Sequence, residues 1–135
     1  VIGGGQVGCE TALHLVEQGH DVTVLEMQEK ILADASASYR NRLTRNMGYH
    51  DNLSTVTGGR CTGITAAGVT YVDQEGQEHL LSCESVVMAA GMRPRREAAN
   101  ALYDPSYRLY TICDCDKAAN VQKAVRAAFS TAISL

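Results

Sequence analysis

The first eight residues contain a glycine cluster of a type that binds phosphate groups. Gly3, Gly5 and Gly8 fit the pattern G-x-G-x-x-G, with Gln6 and Val7 between the last two glycines. The first glycine permits a tight turn, the second lets a phosphate approach the backbone, and the third lets a helix pack closely on a strand. The free amides of the helix's first turn and the positive end of its dipole would face the phosphates. We therefore predict that these five residues bind a dinucleotide.

Glu26 lies 18 residues after Gly8, at the end of a predicted strand. An acid about 20 residues after the glycines is typical of a site that binds adenosine ribose. Such a carboxylate accepts hydrogen bonds from the free hydroxyls of NADH and repels the 2′-phosphate of NADPH, by about 4 kcal/mol at about 4 Å and a dielectric of about 20. We therefore predict NADH rather than NADPH, the alternative being a structural turn with Glu26 solvated. The nearby cations are expected on a solvated helix face: Lys30, Arg40, Arg42 and Arg45.

The elements that must position this site alternate between strand and helix as far as about Met47. Val1 and Ile2 are predicted to end one strand, and residues 22–25 form the next. Two helices are predicted, over about residues 7–18 and 34–47. Gly19 is expected to be left-handed after the first helix, with Asp34 or Ser36 as the second helix's N-cap and Gly48 as its stop.

After Gly48 the pattern changes to short runs rich in Thr and Val, separated by turns. Residues 55–57, 61–65, 69–72 and 79–82 are predicted to form an antiparallel meander. Residues 85–90 are predicted to form a buried parallel strand that ends at Gly91. A boundary is expected at residues 92–96, followed by a strand over about 109–113 and a helix over about 118–133. The fold class is therefore α/β, a Rossmann-like parallel sheet with helices and an antiparallel β-meander.

Composition narrows the classes of function. The 135 residues carry a net charge of −3, with 45% hydrophobic and 20% charged residues. This balance predicts a globular chain and gives no electrostatic reason for a nucleic-acid partner. No apolar run approaches the roughly 20 residues of a membrane span. The five cysteines lack the dense spacing of a secreted disulfide scaffold, so we expect a cytoplasmic protein. The sequence starts with Val rather than Met, so we expect a piece of a longer protein.

Cysteine and histidine spacings predict neither a metal site nor a catalytic side chain. Cys113 and Cys115 are spaced C-x-C, whereas thioredoxin-like chemistry uses C-x-x-C and zinc sites usually use two such pairs. The four histidines lack metal-binding spacing. Cys9 lies where a helix dipole could lower its pKa, but we expect it to pack against the sheet. Glu10 is expected to be an exposed helical acid.

The glycine loop, the meander and residues 86–94 together resemble the NAD(P)H-binding domain of two-dinucleotide-binding flavoproteins. Within these, the chain looks closest to the C-terminal part of the NADH:flavin oxidoreductase group, which includes 2,4-dienoyl-CoA reductase, enoate reductase and trimethylamine dehydrogenase. The resemblance implies that residues 1–91 bind NAD(P)H, with Gly91 in the crossover between domains. It implies that residues 92–135 are the returning segment of an FAD-binding domain, incomplete in this chain. Asp114 resembles the acid of a late FAD motif, although Cys113 replaces the usual glycine.

The resemblance also implies a function for the longer enzyme. NAD(P)H would pass a hydride to FAD, and electrons would continue through an iron–sulfur cluster and FMN to an enoate or dienoyl substrate. Those later parts would lie outside this chain, which is expected to be inactive alone. Two alternatives remain open: a dinucleotide-binding domain without turnover, and part of a pyridine-nucleotide disulfide reductase. The absence of C-x-x-C counts against the thioredoxin reductase form of the latter.

Overall fold

The computed structural model describes residues 1–135, which divide into two compact units, Val1–Gly91 and Met92–Leu135. The first unit contains two helices and five strands. These are α1 (Gln6–Glu17), β1 (Val22–Leu25), α2 (Ala37–Met47), β2 (Leu53–Val56), β3 (Arg60–Thr65), β4 (Gly68–Val72) and β5 (Glu78–Leu81). The second unit contains α3 (Arg96–Asn100), a 3₁₀ turn (Cys113–Cys115) and α4 (Val121–Ala132).

A small parallel sheet forms the base of the first unit. β1 pairs with β2 in parallel from Val22↔Leu53 to Leu25↔Val56. On the other side of β1, Ile2 forms parallel bridges to both Leu25 and Met88. The predicted strand end at the start of the chain therefore lies inside the sheet, directly before the glycine loop.

The position of β2 corrects one prediction. Residues 55–57 were expected in the antiparallel meander, but Thr55 and Val56 belong to β2, which extends the parallel sheet. The amide of Glu26 donates to the Val56 carbonyl at 2.8 Å, which continues this pairing beyond β1. A short Thr- and Val-rich run fits either type of sheet, and here the α2 crossover that precedes it sets the parallel direction.

Helix α1 ends as its sequence predicts. Gly19 has a φ of +91°, a left-handed conformation that glycine adopts without a Cβ clash. The side-chain amide of Asn52 donates to the carbonyls of His20 at 2.7 Å and Val16 at 3.3 Å. These bonds satisfy carbonyls at the end of the helix and tie it to the start of β2.

Helix α2 begins after Ser36, the second of its two predicted N-cap residues. Ser36 is the N-cap, and its hydroxyl accepts a hydrogen bond from the Tyr39 amide. Asp34 therefore lies outside the helix. Gly48 does end the helix, but its φ of −69° is right-handed, so this turn does not depend on a glycine.

The main core lies between α1, α2 and the parallel sheet. Its members are aliphatic and sulfur-containing side chains rather than aromatic ones, which agrees with the sparse aromatic content of the chain. They are Cys9, Ala12, Val16, Val22, Val24, Leu32, Leu43 and Met47. Burying one such Val or Leu side chain contributes about 1.5–3 kcal/mol.

Three antiparallel strands form the meander. β4 lies between β3 and β5, with Val69 opposite both Ile64 and Leu81. The register between β3 and β4 shifts between Cys61 and Gly63. Val69 and Leu25 belong to a second small core, which joins the meander to the parallel sheet.

The segment over residues 85–90 is parallel but not buried as predicted. The Ile2 amide donates to Val87 O at 2.8 Å, and the Ala89 amide donates to Ile2 O at 2.8 Å. No regular strand forms beyond this bridge, and the Met88 residue is 61% exposed. An apolar run alone does not determine that both faces of a strand are covered.

The second unit differs most from its prediction. Residues 109–112 form no strand, and residues 113–115 form the 3₁₀ turn instead. The C-terminal helix is α4, which starts at Val121 with Asn120 as its N-cap, three residues later than predicted. The Arg96 guanidinium pairs with the Asp116 carboxylate at 3.0 Å, an exposed contact between α3 and the segment after the turn. Neither unit contains a helix that is both long and apolar enough to cross a bilayer.

The turn between β4 and β5 contains a contact between Asp73 and His79 whose contribution to stability should depend on pH. The hydrogen bond from His79 Nε2 to Asp73 Oδ2, at 2.6 Å, and backbone bonds from Gln77 and Glu75 lower the pKa of the Asp73 carboxyl. Because the folded pKa lies below the unfolded one, this contribution to stability is present above the unfolded pKa and is lost as pH falls through the folded pKa. We expect a carbon NMR titration of Asp73 to have its midpoint below that of aspartate in an unfolded chain, and His79→Ala to raise it. An unchanged midpoint in His79→Ala would contradict this.

Candidate functional site

At two positions of the glycine loop, another part of the backbone lies too close for the residue to carry a Cβ. A Cβ at Gly8 would lie 1.8 Å from the Gly3 carbonyl oxygen, and one at Gly3 would lie 2.4 Å from the Ala89 carbonyl oxygen. Gly3 also has a φ of +108°. These two glycines therefore let α1 start directly over the carboxyl ends of the parallel strands.

Gly5 lacks a side chain for a different reason. A Cβ there would have no neighbouring atom within 4 Å, and Gly5 has an ordinary extended conformation as the N-cap of α1. Packing within the protein therefore does not require glycine at this position. The open space fits the predicted approach of a phosphate to the backbone.

The start of α1 carries hydrogen-bond donors without partners. The amides of Gln6, Val7 and Gly8 form no hydrogen bond within the protein, and no acidic residue lies in the first turn. Gly5, Gln6 and Val7 are exposed. Unpaired amides and the positive end of a helix dipole together favour an anion at this place.

The Glu26 carboxylate lies beside this loop and is held in place by it. Glu26 is 8% exposed and is the one charged residue in the buried class. Its Oε2 accepts from the Gly4 amide at 2.6 Å, and its Oε1 accepts from the Gln28 amide at 2.8 Å. A carboxylate has about four acceptor positions, so two remain for a ligand.

Gly4 connects the loop to the segment after Glu26, which the sequence analysis did not anticipate. The Leu32 amide donates to the Gly4 carbonyl at 2.7 Å. Leu32 has a φ of +56° and is 1% exposed. A left-handed non-glycine residue costs about 1–2 kcal/mol, which its contacts must offset. A leucine carries no sequence signal for this conformation, so the link could not be predicted.

Among the cations after Glu26, Lys30, Arg42 and Arg45 are exposed as predicted, and only Arg40, which is partly buried, corrects the prediction. Its guanidinium donates to the carbonyls of the segment that leads into α2. Arg42 lies over the Tyr39 ring, 5.3 Å from its centroid. Glu10 is exposed, as predicted. Its carboxylate accepts a hydrogen bond from the Tyr39 hydroxyl, which raises the pKa of Tyr39 and joins α1 to α2.

Cys9 packs inside the first unit rather than acting as an activated thiol. It is fully buried, and its Sγ donates to the Gly4 carbonyl at 3.3 Å. Burial, together with the charges of Glu26 and Glu10, raises the pKa of the Cys9 thiol to about 11. All five cysteines are free thiols in the structure, and no three His, Cys, Asp or Glu side chains cluster as a metal site would need.

The remaining two predicted site residues occur in different units. Gly91 ends the first unit with a φ of +89° and open space around it, two residues after Ala89, which lies against the glycine loop. Asp114 lies in the second unit, in the 3₁₀ turn, where its carboxylate accepts from the Cys113 thiol at 3.4 Å. The structure therefore brings together the glycine loop, Glu26 and Ala89, and the roles of Gly91 and Asp114 stay predictions.

A large open cavity in the first unit is not the predicted site. It has a volume of about 860 Å³, and its lining combines the amino ends of the parallel strands, such as Val22 and Asn52, with Val69 and Leu81 of the meander. Ligands of open α/β sheets bind outside the carboxyl ends of the strands. The glycine loop and Glu26 occupy that carboxyl edge.

The chain belongs to a known family of redox enzymes. Residues 1–122 match the family described as pyridine nucleotide-disulphide oxidoreductase. This is a family of oxidoreductases that bind pyridine nucleotide and FAD. The parallel and antiparallel sheets described above confirm the predicted fold class.

Similar proteins agree with this membership. The chain is 37% identical over 133 residues to a bilirubin reductase of Mediterraneibacter gnavus and 34% identical over 133 residues to an NADH oxidase of Thermoanaerobacter brockii, in each case covering 98% of this chain and 20% of the relative. Among solved structures, a 2-naphthoyl-CoA reductase in complex with 2-naphthoyl-CoA superposes with a TM-score of 0.82 at 26% identity, over 99% of this chain and 20% of the other. The chain thus spans about a fifth of the length of these proteins.

The two types of glycine in the loop should respond differently to substitution by alanine. We expect Gly8→Ala to destabilise the protein by about 2–4 kcal/mol, because the new Cβ meets a backbone oxygen that cannot move aside. We expect the matched variant Gly5→Ala to change the free energy of unfolding by less than about 0.5 kcal/mol, because its Cβ meets nothing. Urea unfolding followed by circular dichroism measures both. Equal losses in the two variants would contradict the packing described above.

The backbone conformation of Cys113, the residue before Asp114, suggests a substitution that should stabilise the 3₁₀ turn. Cys113 has a φ of +53°, a conformation that glycine adopts without the clash that a Cβ causes. We expect Cys113→Gly to stabilise the turn by about 1 kcal/mol. Slower hydrogen exchange of the Asp116 and Lys117 amides, which donate to the Cys113 carbonyl at 2.9 and 2.7 Å, would report it. Cys115→Gly, at a position without a positive φ, is the control and should not slow exchange.

Proposed function

We propose that the chain is the NADH-binding module of a flavin-dependent oxidoreductase. The observation that carries this proposal is the arrangement at the carboxyl edge of the parallel sheet. Unpaired amides at the start of α1 adjoin the open space at Gly5, and the nearly buried Glu26 carboxylate is bonded to the same loop. A dinucleotide carries the anionic pyrophosphate and the ribose hydroxyls that such donors and acceptors would bind.

Each predicted residue has a physical role in this proposal. The amides of Gln6, Val7 and Gly8 donate to the pyrophosphate, and Gly5 leaves room for it. The free acceptor positions of Glu26 receive the adenosine ribose hydroxyls. Gly3 and Gly8 place the helix, and the open backbone at Gly91 borders the path of the nicotinamide half. When bound, the reduced nicotinamide supplies a hydride, and the chain's own residues orient it and exclude water.

Preference for NADH over NADPH follows from the same carboxylate. A 2′-phosphate would approach a negative charge that is nearly buried and already fixed in position. Two like charges at about 4 Å repel by about 4 kcal/mol at a dielectric of about 20. Arg40, the first arginine after Glu26, has its Nε and Nη2 donors engaged by backbone carbonyls, so those donors do not bind a 2′-phosphate.

For the longer protein we propose the activity of the NADH:flavin oxidoreductase group. Two of the similar proteins are reductases of bilirubin and of 2-naphthoyl-CoA, both of which are conjugated unsaturated compounds. An enoate- or dienoyl-type substrate would fit this pattern. Residues 92–135 would then return to an FAD-binding domain, with Asp114 beside the flavin. The FMN and the iron–sulfur cluster that the resemblance implies would lie in the rest of such an enzyme, which would be the chain's partner.

The family membership also supports a second candidate, a pyridine-nucleotide disulfide reductase. In that case the full-length protein would reduce a disulfide with NADH, using cysteines outside this chain. A comparison of NADH consumption by the full-length protein with cinnamoyl-type acceptors and with disulfides distinguishes the two. A module that binds the dinucleotide without turnover would bind NADH and consume none with either acceptor.

Calorimetric titration of the 135-residue chain tests the proposal directly. We expect NADH to bind more tightly than NADPH or FAD. Glu26→Ala should weaken NADH binding about tenfold and reduce the NADH-over-NADPH preference, because a charged acceptor of hydrogen bonds is removed. Glu29→Ala, which removes an exposed acid three residues later, is the matched control and should behave like the wild type.

Three results would count against the proposal. Unchanged NADH affinity and unchanged discrimination in a folded Glu26→Ala variant would exclude the role of this carboxylate. Tight FAD binding without binding of either nicotinamide coenzyme would reverse the assignment of residues 1–91. Absence of binding by any of the three ligands would contradict the module itself.

A further inference from the structure

Arg40 makes an unusual set of contacts for a residue in the first turn of a helix. Its Nε donates to the Leu32 carbonyl at 3.0 Å, and its Nη2 donates to the carbonyls of Ala33 at 2.9 Å and Ala35 at 3.0 Å. Three carbonyls of one short segment therefore share one guanidinium. An arginine offers five donors in a planar fork, which a lysine cannot reproduce.

The segment that Arg40 holds reaches back to the glycine loop. Leu32 has a left-handed backbone and a buried side chain, and its amide donates to the Gly4 carbonyl at 2.7 Å. A strained backbone of this kind persists only where surrounding contacts fix it. The bond from Arg40 to the Leu32 carbonyl is one of those contacts.

Both backbone polar groups of Gly4, the amide and the carbonyl, are held by hydrogen bonds. Its amide donates to Glu26 Oε2 at 2.6 Å, and its carbonyl accepts from the Leu32 amide and from the Cys9 thiol. Gly5, the N-cap of α1, follows immediately. The orientation of the Gly4–Gly5 peptide therefore depends on the segment that Arg40 holds.

We propose that Arg40 is a positioning residue of the dinucleotide site, which fixes residues 32–35 so that the glycine loop is preformed for the pyrophosphate. This inference rests on the proposed function, because it assigns a role to Arg40 within that same site. Arg40 acts through the Leu32–Gly4 hydrogen bond and not by contact with the ligand. Its Nε and Nη2 donors are used on neutral carbonyls, so it contributes to coenzyme affinity through the loop and not through a direct bond to a phosphate.

Calorimetric titration of the 135-residue chain with NADH tests this role. Arg40→Met removes the fork, Arg40→Lys keeps the charge without the fork, and Arg45→Met removes an exposed arginine of the same helix. We expect Arg40→Met to weaken NADH binding about tenfold, which corresponds to about 1.4 kcal/mol, and Arg40→Lys to recover only part of the loss. Arg45→Met should bind as the wild type does. All titrations are made at a temperature at which circular dichroism shows each variant folded.

Salt dependence separates positioning from direct contact. If Arg40 is a positioning residue, Arg40→Met should lose affinity by the same factor at about 0.05 M and about 0.3 M salt. The reference is Arg45→Met, which has lost the same charge. A loss that shrinks strongly at high salt would indicate that Arg40 contacts the phosphates, which overturns the inference. If only Arg40→Lys folds, its affinity decides: wild-type affinity overturns the inference, and a severalfold loss supports it.

Failure of this inference is distinguishable from failure of the proposed function. If the wild type binds NADH and folded Arg40→Met binds it within about twofold while melting at a lower temperature, Arg40 is only structural and the proposed function stands. If the wild type binds no adenine dinucleotide, both are wrong.

Discussion

The first unit depends on one close approach of backbone to backbone. The Gly8 α-carbon lies so near the Gly3 carbonyl that a Cβ would lie 1.8 Å from that oxygen, and Gly3 makes a similar approach to Ala89. Only this spacing allows α1 to begin directly over the end of the strand that precedes it. The unpaired amides of α1 and the Glu26 carboxylate then share one edge of the sheet. Larger residues at Gly3 or Gly8 would push α1 away from the strand. The unpaired amides of α1 would then no longer lie beside the Glu26 carboxylate.

The resulting site is built mainly from backbone groups. Glu26 supplies the one side chain with a charge, and even its carboxylate is oriented by amides of Gly4 and Gln28. This suits a module whose cofactor carries the chemistry, because the protein then needs to hold and orient the coenzyme without an acid, base or nucleophile of its own. The raised pKa of Cys9 agrees with this, since a buried thiol near 11 is protonated and unreactive.

Whether a feature of the structure could be predicted from the sequence depended on what determines that feature. Glycine positions and apolar periodicity predicted α1, Gly19, β1, the end of α2 and most of the meander, because these depend on local sterics and burial. The direction of β2 and the exposure of Met88 depend on what lies beside the strand, which a short apolar run does not reveal. The order of strands and helices predicted the fold class, and the family resemblance supplied the prediction for Asp114. It gave no sign of Leu32 or Arg40, since neither a left-handed leucine nor a guanidinium bound to three carbonyls has a sequence pattern.

The two left-handed residues that are not glycine show how strain is distributed in this chain. Leu32 is compensated: its side chain is buried in the main core, its amide bonds to Gly4, and its carbonyl bonds to Arg40. Cys113 has no comparable burial, and its contacts are local to one turn. Strain that a fold offsets with several independent contacts is typical of functional sites. The strain at Leu32 therefore belongs with the glycine loop it supports. At Cys113, where glycine would be free of it, the strain comes from the cysteine side chain, whose one hydrogen bond is to the neighbouring Asp114.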